Sequence, residues 1–151
     1  LSVPCIRMAD LYLMYAEALN EKGEDYATVL PWIDMVRERS GLQGVKESWD
    51  QYVGNSKYAT QTGLRQIIMQ ERRIELAFEG HYFWDVRRWK TATTELTQPL
   101  TGWKVRYGET DVDYYSENLV LVRDFTPKMY FWPIDIGELR KDPNLVQNYG
   151  W

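Results

Sequence analysis

The sequence predicts a mainly α-helical protein of packed helical hairpins, with a small β-hairpin and an irregular C-terminal tail. Three observations predict it. Stretches before Thr91 carry apolar residues at helical spacing. Glycines at 23, 41 and 80 punctuate them where a helix must stop and the chain must turn. After Thr91 the pattern changes to short runs rich in β-branched and aromatic residues. The chain has 151 residues, 44% hydrophobic and 26% charged, which suits one globular domain with a sizeable core.

The first helix is expected from about Arg7 to Lys22, with Leu11, Met14, Tyr15, Ala18 and Leu19 on its apolar face and Gly23 as its stop. The second ends at Arg39 or Ser40, before Gly41, and takes its apolar face from Ile33, Met35 and Val36. Its start depends on Pro31. With Thr28 as N-cap, Pro31 sits in the first turn, where a missing N–H costs nothing. A start at Asp25 puts Pro31 inside the helix. Residues 42–60 read as a polar loop dotted with aromatics. Thr62 is the expected cap of a long third helix through Glu79, with Leu64, Ile67, Ile68, Ile74 and Phe78 as its buried stripe. A short fourth helix follows from Tyr82 to Lys90, with Phe83 and Val86 inward and Trp89 as a third candidate. The two helical hairpins, about 60 residues apart, suggest a tetratricopeptide-like repeat. Beyond a loop, TTELTQPLTG, the runs WKVRY (103–107) and NLVLVRDF (118–125) read as two strands. MYFWPI is a short extended run, Ile136 to Arg140 one helical turn, and KDPNLVQNYGW an irregular tail.

Composition narrows the function classes. The formal net charge of −4 gives no electrostatic footprint for nucleic acid. A single cysteine, Cys5, excludes a disulfide framework within the chain and a thiolate zinc site. No run approaches the length of a membrane-spanning helix, and no signal peptide is present. The chain starts abruptly, just before a helical pattern, which suggests a fragment of a longer protein. The 7 Trp and 11 Tyr are many, and such rings stack on sugars as well as filling cores and interfaces.

The stretch ERRIELAFEGHYFWDVRRW (71–89) concentrates the charge. Glu71, Glu75 and Glu79 stand four residues apart and share one helix face. Paired carboxylates are the machinery of glycosidases, but those catalysts flank the sugar from opposite sides, and neighbours on one helix face cannot. Three carboxylates with His81, the only histidine, resemble a cation site, yet Arg72, Arg73, Arg87 and Arg88 in the same segment compete for every carboxylate. The favoured reading is a structural ion-pair lattice between the third and fourth helices, with Arg37 and Arg39 as further partners. No catalytic residue, metal or cofactor is assigned, and His81 is read as a packing or capping residue.

Other motifs fail on inspection. DVDYYSENLVLV (111–122) starts like a calcium loop, but Ser116 stands where glycine is required and Val122 where glutamate is. There is no dinucleotide or phosphate loop. The loop aromatics Trp49, Tyr52, Tyr58, Tyr114 and Tyr115 are candidate sugar platforms, against the simpler reading that they cover the core.

Four stretches taken together resemble the C-terminal part of the SusD/RagB family of outer-membrane nutrient-binding lipoproteins. They are IRMADLYLMYAEALNEKG (6–23), VRERSGL (36–42), QERRIELAFEGHYFWDVRRW (70–89) and KMYFWPIDIGELRKDPNLVQNYGW (128–151). They occur in the family's order across almost the whole chain, and the ending at Trp151 is similar to the family's own C-terminus. The resemblance implies tetratricopeptide-like hairpins and a surface lipoprotein of the outer membrane, anchored by a lipid on an N-terminal cysteine absent from this chain. It implies a TonB-dependent transporter as partner, over which the protein acts as a lid, and an oligosaccharide or polysaccharide, sometimes a peptide, as cargo. It also implies that much of the ligand surface lies outside this segment, so no ligand residue is carried over. The function expected is non-enzymatic glycan binding in uptake. Its rivals are a generic tetratricopeptide-type protein-interaction module and a glycoside hydrolase using Glu71 or Glu75.

Overall fold

The computed structural model describes residues 6–104 and 109–151. Among them are eight α-helices, one two-stranded sheet and short 3-10 and π turns, so the mainly α architecture holds. The chain divides into two compact units, Leu1–Tyr82 and Phe83–Trp151. Cys5 and most of the expected strand WKVRY lie outside the described residues.

In the first unit, α1 (Met8–Lys22) ends in a Schellman turn: Gly23 N–H donates to Asn20 O, Glu24 N–H donates to Leu19 O, and Gly23 takes φ 88°. That left-handed angle is free of cost only for glycine. The helix α2 (Tyr26–Arg39) starts after Asp25, so Pro31 lies inside it rather than in its first turn. The short α3 (Val45–Ser48) runs into a π-turn (Trp49–Val53), and a 3-10 turn (Lys57–Ala59) leads into α4 (Gln61–Glu75). The cap of α4 is Thr60 and not Thr62: Thr60 Oγ1 accepts from Gly63 N–H at 3.1 Å. Gly63 permits that close approach, because a Cβ there would sit 2.1 Å from Lys57 O.

The core of this unit joins Leu13 and Ala16 of α1, Val29, Ile33 and Val36 of α2, Val45 of α3, and Leu64, Ile67 and Ile68 of α4. Its details correct the expected faces. Ala9, Leu13, Ala16 and Asn20 are the buried side of α1, while Leu11, Met14, Tyr15 and Ala18 are exposed. Met35 also points outward. The helix α4 stops at Glu75, four residues early. Ile74 is exposed, and Phe78 lies in the following turn at φ 67°, fully exposed, instead of completing a stripe. Leu76 is buried in its place.

The helix α5 (His81–Arg88) crosses the unit boundary, and in the second unit α6 (Ala92–Glu95), β1 (Leu100–Trp103), α7 (Asp111–Tyr114), β2 (Glu117–Leu121), a 3-10 turn (Pro127–Tyr130) and α8 (Ile136–Lys141) follow. Part of TTELTQPLTG is therefore helix and strand rather than loop. The strands pair antiparallel, with Trp103 opposite Glu117 and Gly102 opposite Asn118, and a register irregularity lies between Leu100 and Thr101. Val86, Ala92 and Phe125 form this unit's small core, with Leu96, Met129 and Tyr130 against it.

Candidate functional site

The charged stretch is engaged in the first unit. Glu71 pairs with Arg37, which also donates through Nε to Gln43 O at 2.8 Å and through Nη2 to Ser48 Oγ at 3.1 Å. Glu75 accepts from Arg7 and, at 2.6 Å, from Arg39. Glu79 accepts from Arg7 Nε and Nη2 at 2.9 and 2.6 Å. Arg7 is the N-cap residue of α1, and its Nη2 donates to Glu75 O at 2.5 Å. Arg72, 3% exposed, donates to buried Asp10 of α1 at 2.9 Å.

These bonds tie the end of α4 to the start of α1 and the end of α2. The arginine partners described here come from those helices, and Arg7 was not foreseen because 68 residues separate it from Glu75. The hydrogen bonds of Arg7 favour the ionised form of Glu79 and hold its carboxyl below the usual range. Arg7 is raised in turn, by Glu79 first and Glu75 second. Arg73 stacks on Tyr82, and Arg88 donates to Asp85 Oδ1 at 2.7 Å. The Arg87 guanidinium lies 4.3 Å from the Phe83 ring centre and donates to Met129 O at 2.6 Å.

The loop aromatics separate into two kinds. Tyr58 is 5% exposed, its ring edge-on to Tyr26 and its hydroxyl donating to Asp50 Oδ1 at 2.8 Å. That ring has no face to offer a ligand. Trp49 packs on the core with Lys57 over its ring. Tyr52 is exposed and stands apart, without a ring neighbour among the described residues. An open depression of about 650 Å³ beside α3 is bordered by Asp34, Glu38, Glu47 and Asp50, with Lys46 bonded to Asp50. Burial raises the Asp34 carboxyl, against the pull of the hydrogen bond it accepts from Val45 N–H.

Tyr114 and Tyr115 belong to a surface cluster in the second unit. Their rings lie 4.9 Å apart at 80°, and Tyr115 meets Trp103 at 5.4 Å and 80°. Trp103 and Tyr115 are 60% and 62% exposed, so faces of both rings reach solvent. The local sequence explains the arrangement. Thr110 caps α7 by accepting from Asp113 N–H, and Ser116 Oγ donates to Asp113 O at 2.6 Å, which turns the chain directly after Tyr115. The strand register then sets Glu117 opposite Trp103, with its Oε1 accepting from Thr101 Oγ1 at 2.6 Å. Trp103 was legible only as a strand residue, because its partner rings follow a dozen positions later.

Exposed rings beside a carboxylate and hydroxyls suit the apolar face and hydroxyl rim of a sugar. The set has no nucleophile–base pair. Among the described residues, no three His, Cys, Asp or Glu side chains converge in a cation-binding arrangement.

Comparison with known proteins gives a consistent picture. The family model described as "SusD family" matches residues 2–151. SusD-like protein P25 of Formosa agariphila is 39% identical over 142 residues, 94% of this chain and 23% of that protein. SusD-like protein P2 of the same organism is 37% identical over 86 residues, 56% of this chain and 16% of that protein. The crystal structure of a SusD-like protein from Bacteroides fragilis superposes with a TM-score of 0.77 at 30% identity, covering 97% of this chain and 25% of that one. The chain thus spans about a quarter or less of the length of these relatives.

Proposed function

This chain belongs to the SusD family, and from that premise we propose that it is the C-terminal segment of a cell-surface protein that binds nutrient glycans for uptake. In this reading the segment is one domain of a lipid-anchored protein of the outer membrane. The protein rests on a TonB-dependent transporter and delivers oligosaccharide to it without bond chemistry. The observation that carries the glycan reading is the Trp103–Tyr114–Tyr115 cluster, with Glu117 and Thr101 beside it. Trp103 and Tyr115 supply flat apolar surface for pyranose rings. Glu117 accepts from sugar hydroxyls. The Glu71, Glu75 and Glu79 carboxylates serve as scaffold, since arginines already occupy them.

The test is calorimetry of the full-length protein against a panel of polysaccharides. Each lost stacking contact is worth roughly 0.5 to 1.5 kcal/mol, so the double variant Trp103→Ala/Tyr115→Ala should bind the cognate glycan about tenfold more weakly. No binding to any glycan, or unaltered affinity in the double variant, would remove the cluster's role.

A further inference from the structure

Asn20, in the last turn of α1, is a polar side chain only 1% exposed. Its Nδ2 donates to Gln61 O at 3.1 Å, and Gln61 Nε2 donates back to Asn20 O at 2.7 Å. These bonds join α1 to the start of α4 and fix which way the amide points. The other end of the amide, Oδ1, accepts no hydrogen bond among the described residues. Enclosed acceptors are nearly always satisfied, and an unmet one costs free energy.

Asn20 lines a cavity of about 270 Å³ walled by the first unit alone, between the α1–α2 turn, the 3-10 turn and the start of α4. Leu64 and the Tyr26 ring give it apolar surface. Several of its polar groups are already used. Glu24 holds Lys22, Thr60 caps α4, and the Tyr58 hydroxyl donates to Asp50. Three are not. Besides Asn20 Oδ1, the exposed Asp25 carboxylate makes no capping bond at the start of α2, and the Tyr26 hydroxyl bonds to no described residue. Two of the three can only accept. A ligand must therefore bring at least two donors, and an apolar face for Leu64 and the Tyr26 ring. An ammonium group meets only the first need: it is strongly hydrated and would stay at the exposed Asp25. A sugar ring meets both, with vicinal hydroxyls on one edge and C–H groups on a face. The volume lies just under the roughly 300 to 1,000 Å³ of sites for larger ligands, which limits the occupant to a single ring.

We propose that this cavity is a second carbohydrate site. It holds one pyranose unit whose vicinal hydroxyls donate to Asn20 Oδ1 and the Asp25 carboxylate, while the C–H face lies on the Tyr26 ring. The ligand class rests on the glycan reading above; the cavity and its unmet acceptors do not. The site is built from the first unit, whereas the Trp103–Tyr114–Tyr115 cluster belongs to the second.

Hydrogen exchange read by mass spectrometry on the full-length protein tests it, with D-glucose, D-galactose, D-mannose, D-xylose and N-acetylglucosamine as probes. At least one should slow exchange saturably at residues 20–26 and 58–64, while residues 29–36 change little. Asp25→Ala, which has no side-chain bond to lose, should raise the half-saturating concentration about tenfold. Ala59→Trp, at the exposed rim of the cavity, should abolish the local slowing. Uniform slowing along the chain, matched by glycerol, is solvent exclusion and would overturn the proposal. So would slowing by lysine amide but by no sugar, slowing that survives both variants, or no local slowing at all. Trp103→Ala/Tyr115→Ala should leave the local slowing intact. Local slowing in a protein that binds no polysaccharide would defeat the ring-cluster reading and leave this inference standing.

Discussion

Among the described residues, the first unit gathers twelve buried side chains into one cluster running from Ala9 to Ile68, whereas the second gathers three, Val86, Ala92 and Phe125. Both units pair cations with carboxylates, Arg88 with Asp85 and Lys141 with Glu138 in the second, but the bonds between distant parts of the chain differ in emphasis. In the first, Arg7, Arg37, Arg39 and Arg72 meet carboxylates at helix ends. In the second, where the chain is largely irregular, Arg87 donates to Met129 O and Arg123 to Glu95 O and Gln98 O. The tail behaves likewise. Gln147 bonds both the N–H and the C=O of Ile134, Asn148 donates to Trp132 O, and Trp151 Nε1 reaches Lys128 O and Phe131 O. Helices satisfy their own backbone and leave side-chain charge free to pair between helices. Irregular chain leaves backbone groups open, so side chains are used to close them. On the proposed reading, the QNYGW ending and the ERRIEL stretch both hold the fold, through different chemistry.

The sharpest way to break this contrast is at Arg72 and Asp10, both almost fully buried. Arg72→Ala should cost about 3 to 5 kcal/mol, because it strands the Asp10 charge in the core. The double variant Arg72→Met/Asp10→Leu should recover much of that loss, since apolar replacements of a buried pair are often neutral. Urea unfolding of the three proteins checks both expectations. A small loss in Arg72→Ala would mean that the pair is not a lock between α1 and α4.

Gly63 tests the entry to α4. A methyl group there collides with Lys57 O, so Gly63→Ala should lose about 1 to 3 kcal/mol although alanine is the better helix former. Increased stability in the same unfolding assay would show that the 3-10 turn yields without cost. In the second unit, Gln147→Ala removes the clasp on Ile134 and should lose about 1 to 2 kcal/mol. Amide hydrogen exchange should rise around residues 132–136 and stay unaltered in α1 and α2. A global rise would mean that the two units do not respond separately.

Acid gives the smallest effect. The Glu79 and Glu21 carboxyls are both held below their usual range, by Arg7 and by Arg65 respectively. A depressed carboxyl adds stability above its unfolded value of about 4.5 and loses it as pH falls through the lower folded value. Stability should therefore decline below about pH 4.5. Both pairs are partly exposed, so each contributes less than about 1 kcal/mol. In Glu79→Gln the decline should be slightly shallower. A titration of unfolding free energy that rises on acidification would contradict the assignment.

Much of the fold was legible, because glycine stops and helical periodicity are local signals. Gly23 ends α1 and α2 ends at Arg39. What failed was phase. With apolar residues on both sides of α1, spacing alone cannot say which side meets α4, and the small Ala9 and Ala16 of the buried side weigh little beside Leu11, Met14 and Tyr15. The end of α4 was misplaced because Leu76 to Glu79 favour helix locally, while the buried seat of Leu76 and the left-handed Phe78 are set by tertiary structure. The first three residues of β1, Leu100 to Gly102, read as loop because LTG contains glycine and a single β-branched residue. At the candidate site, Tyr114 and Tyr115 stood out as adjacent loop rings. Trp103 needed the strand pairing to bring it beside them.

The central claim is that the glutamates of α4 build the fold while the rings of the second unit meet the ligand. Glu75→Ala in the full-length protein tests it most directly, with melting temperature and glycan affinity measured on one preparation. Glu75 is 10% exposed and holds two arginines. Its loss should cost about 3 kcal/mol, a fall of roughly 6 to 12 °C in a domain of this size, with glycan affinity well below the transition unaltered. An unchanged melting curve together with lost binding or lost turnover would place the chemistry in the charged stretch and contradict the account.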